Sequence, residues 1–550
     1  MLVLLGLAVG GMLLWMPGFA ALFAAGDARD LRPDASVPVK SSGTSLLMLA
    51  IDGVDRPMLY EMLRSGALPE TRALLGGGDA MPHAYLDETM LSTLPSTTLP
   101  AWATVFTGEP PARHGVTGNE YFVRETRTYV GPAPVSVTAP DLVMRTFSEG
   151  YANELLAVPT VYERLRARDP DFTAWVSMSQ FYVGADRLLL SDRAVIAQAF
   201  AALASGLVDE DDDDRMTLYA KLDREAMEQI EEALAERAPP RMLTVYITGA
   251  DNFAHGAEAG PDAARQRYLR DVVDPLFGRL RRALESRDAL ADRAVLLVAD
   301  HGHMRVKHDE AHALSTNAED DPPAVVRGAG FRLRPFEEEV DADVPFDAAL
   351  MYGGAMAYVY VADRSTCRAP EQACDWTKPP RFEEDVLPLA EAFYQANASG
   401  RYAQSMRGSL DLVLVRRTPA EGDALPFDVY LGDGRVEPLA ATLAREPRAA
   451  YVAFDERLRE LAVGPKGDHA GEILLLARNG NEPSEATRFY FAGLYHSWHG
   501  SPSRADSEVP LILAHPRRST AELGALVRRV AGPTSTHTDV TPLIEALLAD

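Results

Sequence analysis

The sequence predicts an α/β protein with a mostly parallel sheet. Three observations point there. Short, near-continuous apolar runs are bounded by turn residues, helical amphipathic stretches such as 191–206 and 261–287 separate them, and several runs end in acidic or histidine-bearing segments. Strands covered by helices on both faces are buried on both faces, so they read as unbroken apolar runs rather than as alternation. In open sheets of this kind the ligand crevice lies beyond the carboxyl ends of the strands.

Taken in order, the chain opens with MLVLLGLAVGGMLLWMPGFAALFAAGDARD, in which residues 2–25 are uncharged. Residues 1–26 read as a secretory signal or a membrane anchor, so the protein is expected in the periplasm, outside the cell, or anchored facing outward. A linker is expected over 27–44, then a catalytic domain over 45–548. Its buried strands are SLLMLAID (45–52), FTAWVSMS (172–179), MLTVYITGAD (242–251), AVLLVADHG (294–302), GEILLLA (471–477) and VPLILAHP (509–516). Residues 310–470 hold strand-like MAYVYVA (356–362) and LDLVLVRR (410–417) among many turn residues, and read as an inserted cap. DEDDDD (209–214) reads as a solvated loop. The two cysteines, Cys367 and Cys374, suit a small disulfide loop in an oxidising compartment.

The formal net charge of −26 argues against a nucleic-acid duplex as partner, since such binding needs clustered Lys and Arg. A small anionic substrate stays compatible, because metal ions in a cleft reverse the local field. Strand ends place Asp52, Asp251 with His255 four residues on, and consecutive Asp300 and His301 where the crevice is expected; His499, followed by glycine, comes late, with His496 as its competitor. Carboxylate and imidazole ligands without thiolate suit catalytic zinc. PSTTLPAWATVFTG (95–108) turns a loop into a helix with Pro100 in the first turn. Either Thr97 or Thr98 suits an N-cap there, and either lies where a helix N-terminus favours negative charge. His303, His308 and His312 follow Asp-His-Gly in a polar loop, His114 lies beside Asn119 and suits orienting that loop, and His537 suits a turn contact before the last helix.

The order of Asp52, Thr98, Asp251-x-x-x-His255, Asp300-His301-Gly302 and His499-Gly500 resembles the alkaline phosphatase superfamily, and within it the type I phosphodiesterase/nucleotide pyrophosphatase branch. The resemblance covers about 45–305 and 490–545. It implies an α/β/α sandwich, Thr98 as nucleophile and two zinc ions per chain. One would be held by Asp52, Thr98, Asp300 and His301, the other by Asp251, His255 and His499. Asn119 matches the asparagine that binds phosphoryl oxygens. The expected reaction is hydrolysis of a small phosphate ester (a nucleotide, lipid or sugar phosphate) through a phospho-threonine intermediate.

The motif also departs from the branch. Where nucleotide-cleaving members often carry Thr-Phe-Pro-Asn-His, this chain has Thr98, Leu99, Pro100, Ala101 and Trp102. That removes one stacking face for a base, which Tyr121, Phe122 or Trp102 would have to replace. A phosphomonoesterase is the near alternative, with Arg305 or Lys307 supplying the extra cation a dianion needs. Phosphoethanolamine-type transfer and metal binding without catalysis are the remaining alternatives. A sulfatase is disfavoured because the motif has no Cys or Ser in Cys/Ser-x-Pro-x-Arg.

Overall fold

The computed structural model describes residues 28–32, 44–77, 80–137, 139–192, 195–196, 198–199, 211–317, 319–419 and 422–549. The expected leader or anchor over 1–26, most of the linker and most of the helix over 191–206 lie outside the described residues. Among the described residues no helix is long and apolar enough to cross a membrane.

The larger sheet has eight strands in the order Ala28–Asp30, Arg187–Leu189, Ala174–Ser177, Met242–Ile247, Ser45–Ile51, Arg293–Ala299, Leu511–Ala514 and Ala84–Asp87. The pairings from Arg187–Leu189 across to Arg293–Ala299 are parallel; the outer ones are antiparallel. Ala28–Asp30, expected within the linker, is therefore an edge strand.

Ser45–Ile51 shows why its run is apolar throughout. Leu46, Met48 and Ala50 face a cluster completed by helices Thr98–Thr107, Val161–Arg168, Thr520–Ala531 and Val540–Ala549. Leu47, Leu49 and Ile51 face the opposite cluster, under helices Arg56–Ser65, Asp212–Glu236 and Asp274–Glu285. Successive side chains leave opposite faces of a strand, so a strand with helices on both sides has no polar face. Ile51 pairs in register with Ile247 on one side and Ala299 on the other. The next residues, Asp52, Thr248 and Asp300, thus emerge together at the carboxyl edge.

Two expectations are corrected. GEILLLA supplies Ile473–Ala477, which belongs to a second, antiparallel sheet rather than to the parallel one. That sheet runs Ala348–Gly353, Met356–Val361, Ile473–Ala477, Leu410–Val415, Asp428–Tyr430, Val436–Pro438, so it is built from the inserted region plus this strand. The apolar run was legible, but its partner sheet depends on long-range pairing. The acidic run is no loop over 211–214. Asp211 caps the helix Asp212–Glu236 by accepting from the Asp213 and Asp214 amides, and the aspartates after it sit where the helix dipole favours negative charge. Cys367 and Cys374 form a disulfide.

Two buried histidines brace the sheet edge and the helix Thr98–Thr107. His537 Nδ1 accepts from the Thr93 amide at 3.2 Å, and Nε2–H donates to Ala299 O at 3.0 Å, one residue before Asp300. His114 Nδ1 accepts from the Val116 amide, while its Nε2–H donates to Thr104 Oγ1, which in turn donates to Pro100 O. Both rings are uncharged, since burial lowers each from the ordinary histidine range to about 3. A histidine lowered this far favours folding above the unfolded-state pKa of about 6.5, and that contribution is lost as pH falls toward 3. We therefore expect urea stability to fall between pH 6 and pH 4. His537→Gln should flatten the decline by up to about 1.4 kcal/mol per pH unit, measured by the urea midpoint at each pH. An identical slope in the variant would contradict the assignment.

Candidate active site

The residues at the carboxyl edge converge. Asp52 ends the central strand, Asp300 ends its neighbour, and Asp251 and His255 lie one turn apart on helix Gly249–Gly256, which follows strand Met242–Ile247. His301 Nε2 stands 3.5 Å from Asp52 Oδ1, 3.2 Å from Asp300 Oδ2 and 3.2 Å from Thr98 Oγ1. Asp251 Oδ1 stands 3.6 Å from His255 Nε2 and 3.9 Å from His499 Nε2. His301 lies 4.0 Å from Asp251, so the two sets adjoin, and Asp251 also groups with His303 and with His301 and His499.

Each candidate ligand atom is aimed by a hydrogen bond to its neighbour atom. Asp300 Oδ1 accepts from the amides of Gly53 and His301, and Tyr246 donates to Asp52 Oδ2. The other oxygens, Asp300 Oδ2 and Asp52 Oδ1, are buried without a hydrogen-bond partner. The imidazoles are set the same way. Nδ1–H of His255, His301 and His499 donates to Ser497 O, Gly302 O and Ser96 O respectively, leaving every Nε2 lone pair facing the carboxylates. Orphaned carboxylate oxygens opposite unprotonated imidazole nitrogens are a donor set completed by cations, so the residues present fit metal ions.

The electrostatics agree. Burial pushes the Asp52 carboxyl well above its usual range, with the charges of Asp300 and Asp251 adding to it; burial raises Asp300 too. Burial would also raise Asp251, but its surrounding histidines, with His303 at hydrogen-bond distance, outweigh it and hold that carboxyl well below the usual range. Burial lowers His255 below the usual histidine range and His499 well below it.

Thr98 opens helix Thr98–Thr107, and Thr97 takes the N-cap position without a side-chain capping bond. Thr97 is buried with no partner for its Oγ1, whereas Thr98 is half-buried and borders a cavity of about 420 Å³. The Leu99 amide donates to Asn119 Oδ1 at 3.0 Å, which leaves the Asn119 amide nitrogen as a donor at the cavity. Glycines explain the local turns. A Cβ on Gly53 would come within 2.8 Å of Asp251 Oδ1 and His303 Nε2, and one on Gly500 within 2.7 Å of Gly353 O. Both have positive φ, which glycine adopts without strain.

Other candidates fall elsewhere. His496 stacks on His308 at 4.2 Å, apart from the cluster, and His312 pairs with Asp309. Arg305 pairs with Glu485 and Lys307 with Asp309, so neither reaches the cavity. Tyr121, Phe122 and Trp102 are packed in the interior and offer no stacking face. Conversely, His303 belongs to the site: Nε2 lies 2.7 Å from Asp251 Oδ1, a hydrogen-bond separation that holds the carboxylate in place. Tyr246, with Gln180 donating to its hydroxyl, does the same for Asp52. The available signals were a second histidine two residues after His301, and a tyrosine in a buried strand whose hydroxyl needs a partner.

Besides Thr98, the cavity is lined by loop residues 132–135 and 137, by Val143 and Phe147 of helix Pro140–Ser148, and by Met178, Ala199 and Leu222; Tyr495 and Trp498 line it beside His255. No Lys or Arg occurs among the described residues that line it.

The type I phosphodiesterase/nucleotide pyrophosphatase family model matches residues 46–373, more than half of the chain. The match ends before His499, which the fold returns to Asp251. Among solved structures, murine ectonucleotide pyrophosphatase/phosphodiesterase 5 aligns with TM-score 0.50 and 11% identity over 92% of this chain and 95% of that one. Its human counterpart aligns with TM-score 0.49 and 12% identity over the same shares. At this identity the murine alignment speaks to the fold, which is of the alkaline-phosphatase type. The family match extends the conclusion: the chain belongs to the type I phosphodiesterase/nucleotide pyrophosphatase family of the alkaline phosphatase superfamily, and is a phosphoric ester hydrolase.

Proposed function

We propose that the protein is an exported phosphodiesterase that cleaves a phosphoric diester bearing an apolar substituent, using Thr98 and two zinc ions. The observation that carries this is the composition of the cavity. Its described lining has no cationic side chain to meet the second charge of a phosphate monoester, and its wall beyond Thr98 is apolar at Pro132, Val135, Val137, Val143, Phe147 and Leu222. A monoanionic diester with an alkyl arm suits both facts. A nucleobase is less well served, because Leu99 stands where nucleotide-cleaving relatives carry an aromatic.

On this reading residues 45–548 form one catalytic unit with 310–470 inserted. Asp52, Thr98, Asp300 and His301 would hold one zinc, and Asp251, His255 and His499 the other. Bound there, the ions would supply Lewis-acid stabilisation of the Thr98 alkoxide, the leaving oxygen and the attacking water. The chain's own groups do the rest. Thr98 Oγ forms a bond to phosphorus as the ester oxygen departs and takes a proton; water then cleaves the phospho-threonine, releasing a monoester and restoring the hydroxyl. Asn119 donates to a phosphoryl oxygen, while Tyr246 and His303 keep Asp52 and Asp251 oriented. Export is supported by the charge-free stretch 2–25 and by the Cys367–Cys374 disulfide.

Zinc-loaded protein should hydrolyse bis-p-nitrophenyl phosphate at least about tenfold better, in kcat/KM, than p-nitrophenyl phosphate, and Thr98→Ala should lose about 10³-fold or more. Monoester preference would overturn the diesterase reading, and an active Thr98→Ala the nucleophile. Along alkyl p-nitrophenyl phosphates from methyl to octyl, kcat/KM should rise about threefold to fourfold per methylene buried; Phe147→Ala should blunt the rise. A flat series, with a nucleoside ester preferred, would reject the apolar substituent. His255→Ala should lower bound zinc from two to one per chain by metal analysis, and unchanged stoichiometry would contradict its role.

A further inference from the structure

We infer that Arg457, from the inserted region, is a positioning residue that holds the nucleophile loop and the His499 loop in one register; the inference rests on the Thr98 reading above. Arg457 lies on helix Phe454–Ala462, and its side chain is fully buried. Nη2 donates to Thr93 O at 2.9 Å and to Ser96 Oγ at 2.8 Å. Nη1 donates to Ser507 Oγ at 2.9 Å and to Val452 O at 3.2 Å. Among the described residues no carboxylate lies within the 4.0 Å of an ion pair, so its hydrogen bonds go to neutral loop oxygens, while the charges of Glu460 and Asp506 act on it from farther off.

Those oxygens are where the site is assembled. Ser96 is two residues before Thr98, and its carbonyl accepts Nδ1–H of His499 at 3.1 Å. Ser507 donates to Ser501 O, and Ser501 follows His499-Gly500. The loop carrying the nucleophile and the loop carrying a ligand of the second metal thus meet at one guanidinium. The rigid fork spans both, which a lysine ammonium on a flexible stem does not. The inserted sheet anchors the same loops beside it, since the Ala355 amide donates to His499 O at 3.0 Å. A shift of Ser96 would move Thr98 and His499 together, and misplacement by about 1 Å is enough to cost about 10²-fold in rate.

Arg293 provides the control. It is also buried, it bridges Ala289 O, Leu46 O and Pro240 O, and burial lowers both guanidiniums to about 10. It sits at the opposite end of its strand from Asp300. Arg457→Met and Arg293→Met, both zinc-loaded, should lose comparable thermal stability. Arg457→Met alone should lower kcat by about 10- to 100-fold with KM within about threefold, and should speed zinc release to a chelator. Arg457→Lys should recover little, and the Arg457→Met/Ser96→Ala cycle should be non-additive in kcat. A kcat within twofold of wild type in Arg457→Met, or an additive cycle, would overturn the inference. Should Arg457→Met fail to fold, Ser96→Ala decides: a fall of at least about fivefold in kcat supports it and an unchanged kcat overturns it. Thr98→Ala run in parallel separates the readings, because activity there defeats the nucleophile assignment whatever Arg457 does.

Discussion

Three carboxylates buried within reach of one another at the end of a parallel sheet are the constraint around which the rest of this structure is arranged. Asp52, Asp251 and Asp300 follow the strands 45–51, 242–247 and 293–299 at the same edge, where burial and mutual repulsion oppose the charge of Asp52 and Asp300 while the neighbouring histidines favour that of Asp251. The protein does not neutralise them with Lys or Arg. It surrounds them with imidazoles whose Nδ1–H groups are committed to carbonyls, so Nε2 lone pairs and free carboxylate oxygens share one small volume. Such an arrangement is costly without cations and favourable with them, and metal binding should therefore act on folding as well as on chemistry.

The second sheet is the structural answer to a problem of precision. Thr98, on a loop-to-helix turn, and His499, about 400 residues away, are held in one cluster while neither lies on the parallel sheet. Gly354, Gly500 and Thr97 pack closely enough that a Cβ on either glycine would clash with the neighbouring loop. With Ala355 and Arg457 added, the region contributes contacts behind the site, while the apolar cavity wall comes from residues such as Val135, Val143, Phe147, Met178, Leu222 and Tyr495. Rigidity behind the reacting groups and an apolar wall in front divide the labour between the two parts of the chain.

The chemistry side divides in a similar way. Polar groups concentrate at Thr98, Asn119 and the carboxylate edge, whereas Val143, Phe147, Met178 and Leu222 continue the interior cluster into the cavity. Burial of an alkyl arm contributes about 0.8 kcal/mol per methylene, which would make chain length a direct reporter of how far the substrate reaches.

The strand runs, their helical partners and the Asp and His residues at strand ends were legible in the sequence because each follows from local pattern: continuous burial leaves no polar alternation, and chemistry collects at the carboxyl edge. The helix Thr98–Thr107 was legible for the same reason, from the loop-to-helix turn with Pro100 in its first turn. Tertiary structure decided what depends on distant partners. Ile473–Ala477 looks like any buried strand, yet pairs with the inserted hairpin. His303 lies against Asp251 while His308 and His312 do not, a difference set by the turn after the strand rather than by spacing. Arg305 and Lys307 carry the right charge but point to Glu485 and Asp309, and Arg457 reaches the site from more than 350 residues beyond Thr98. Composition and periodicity report burial, whereas the aim of a polar side chain is settled by whichever hydrogen-bond partner the fold brings to it.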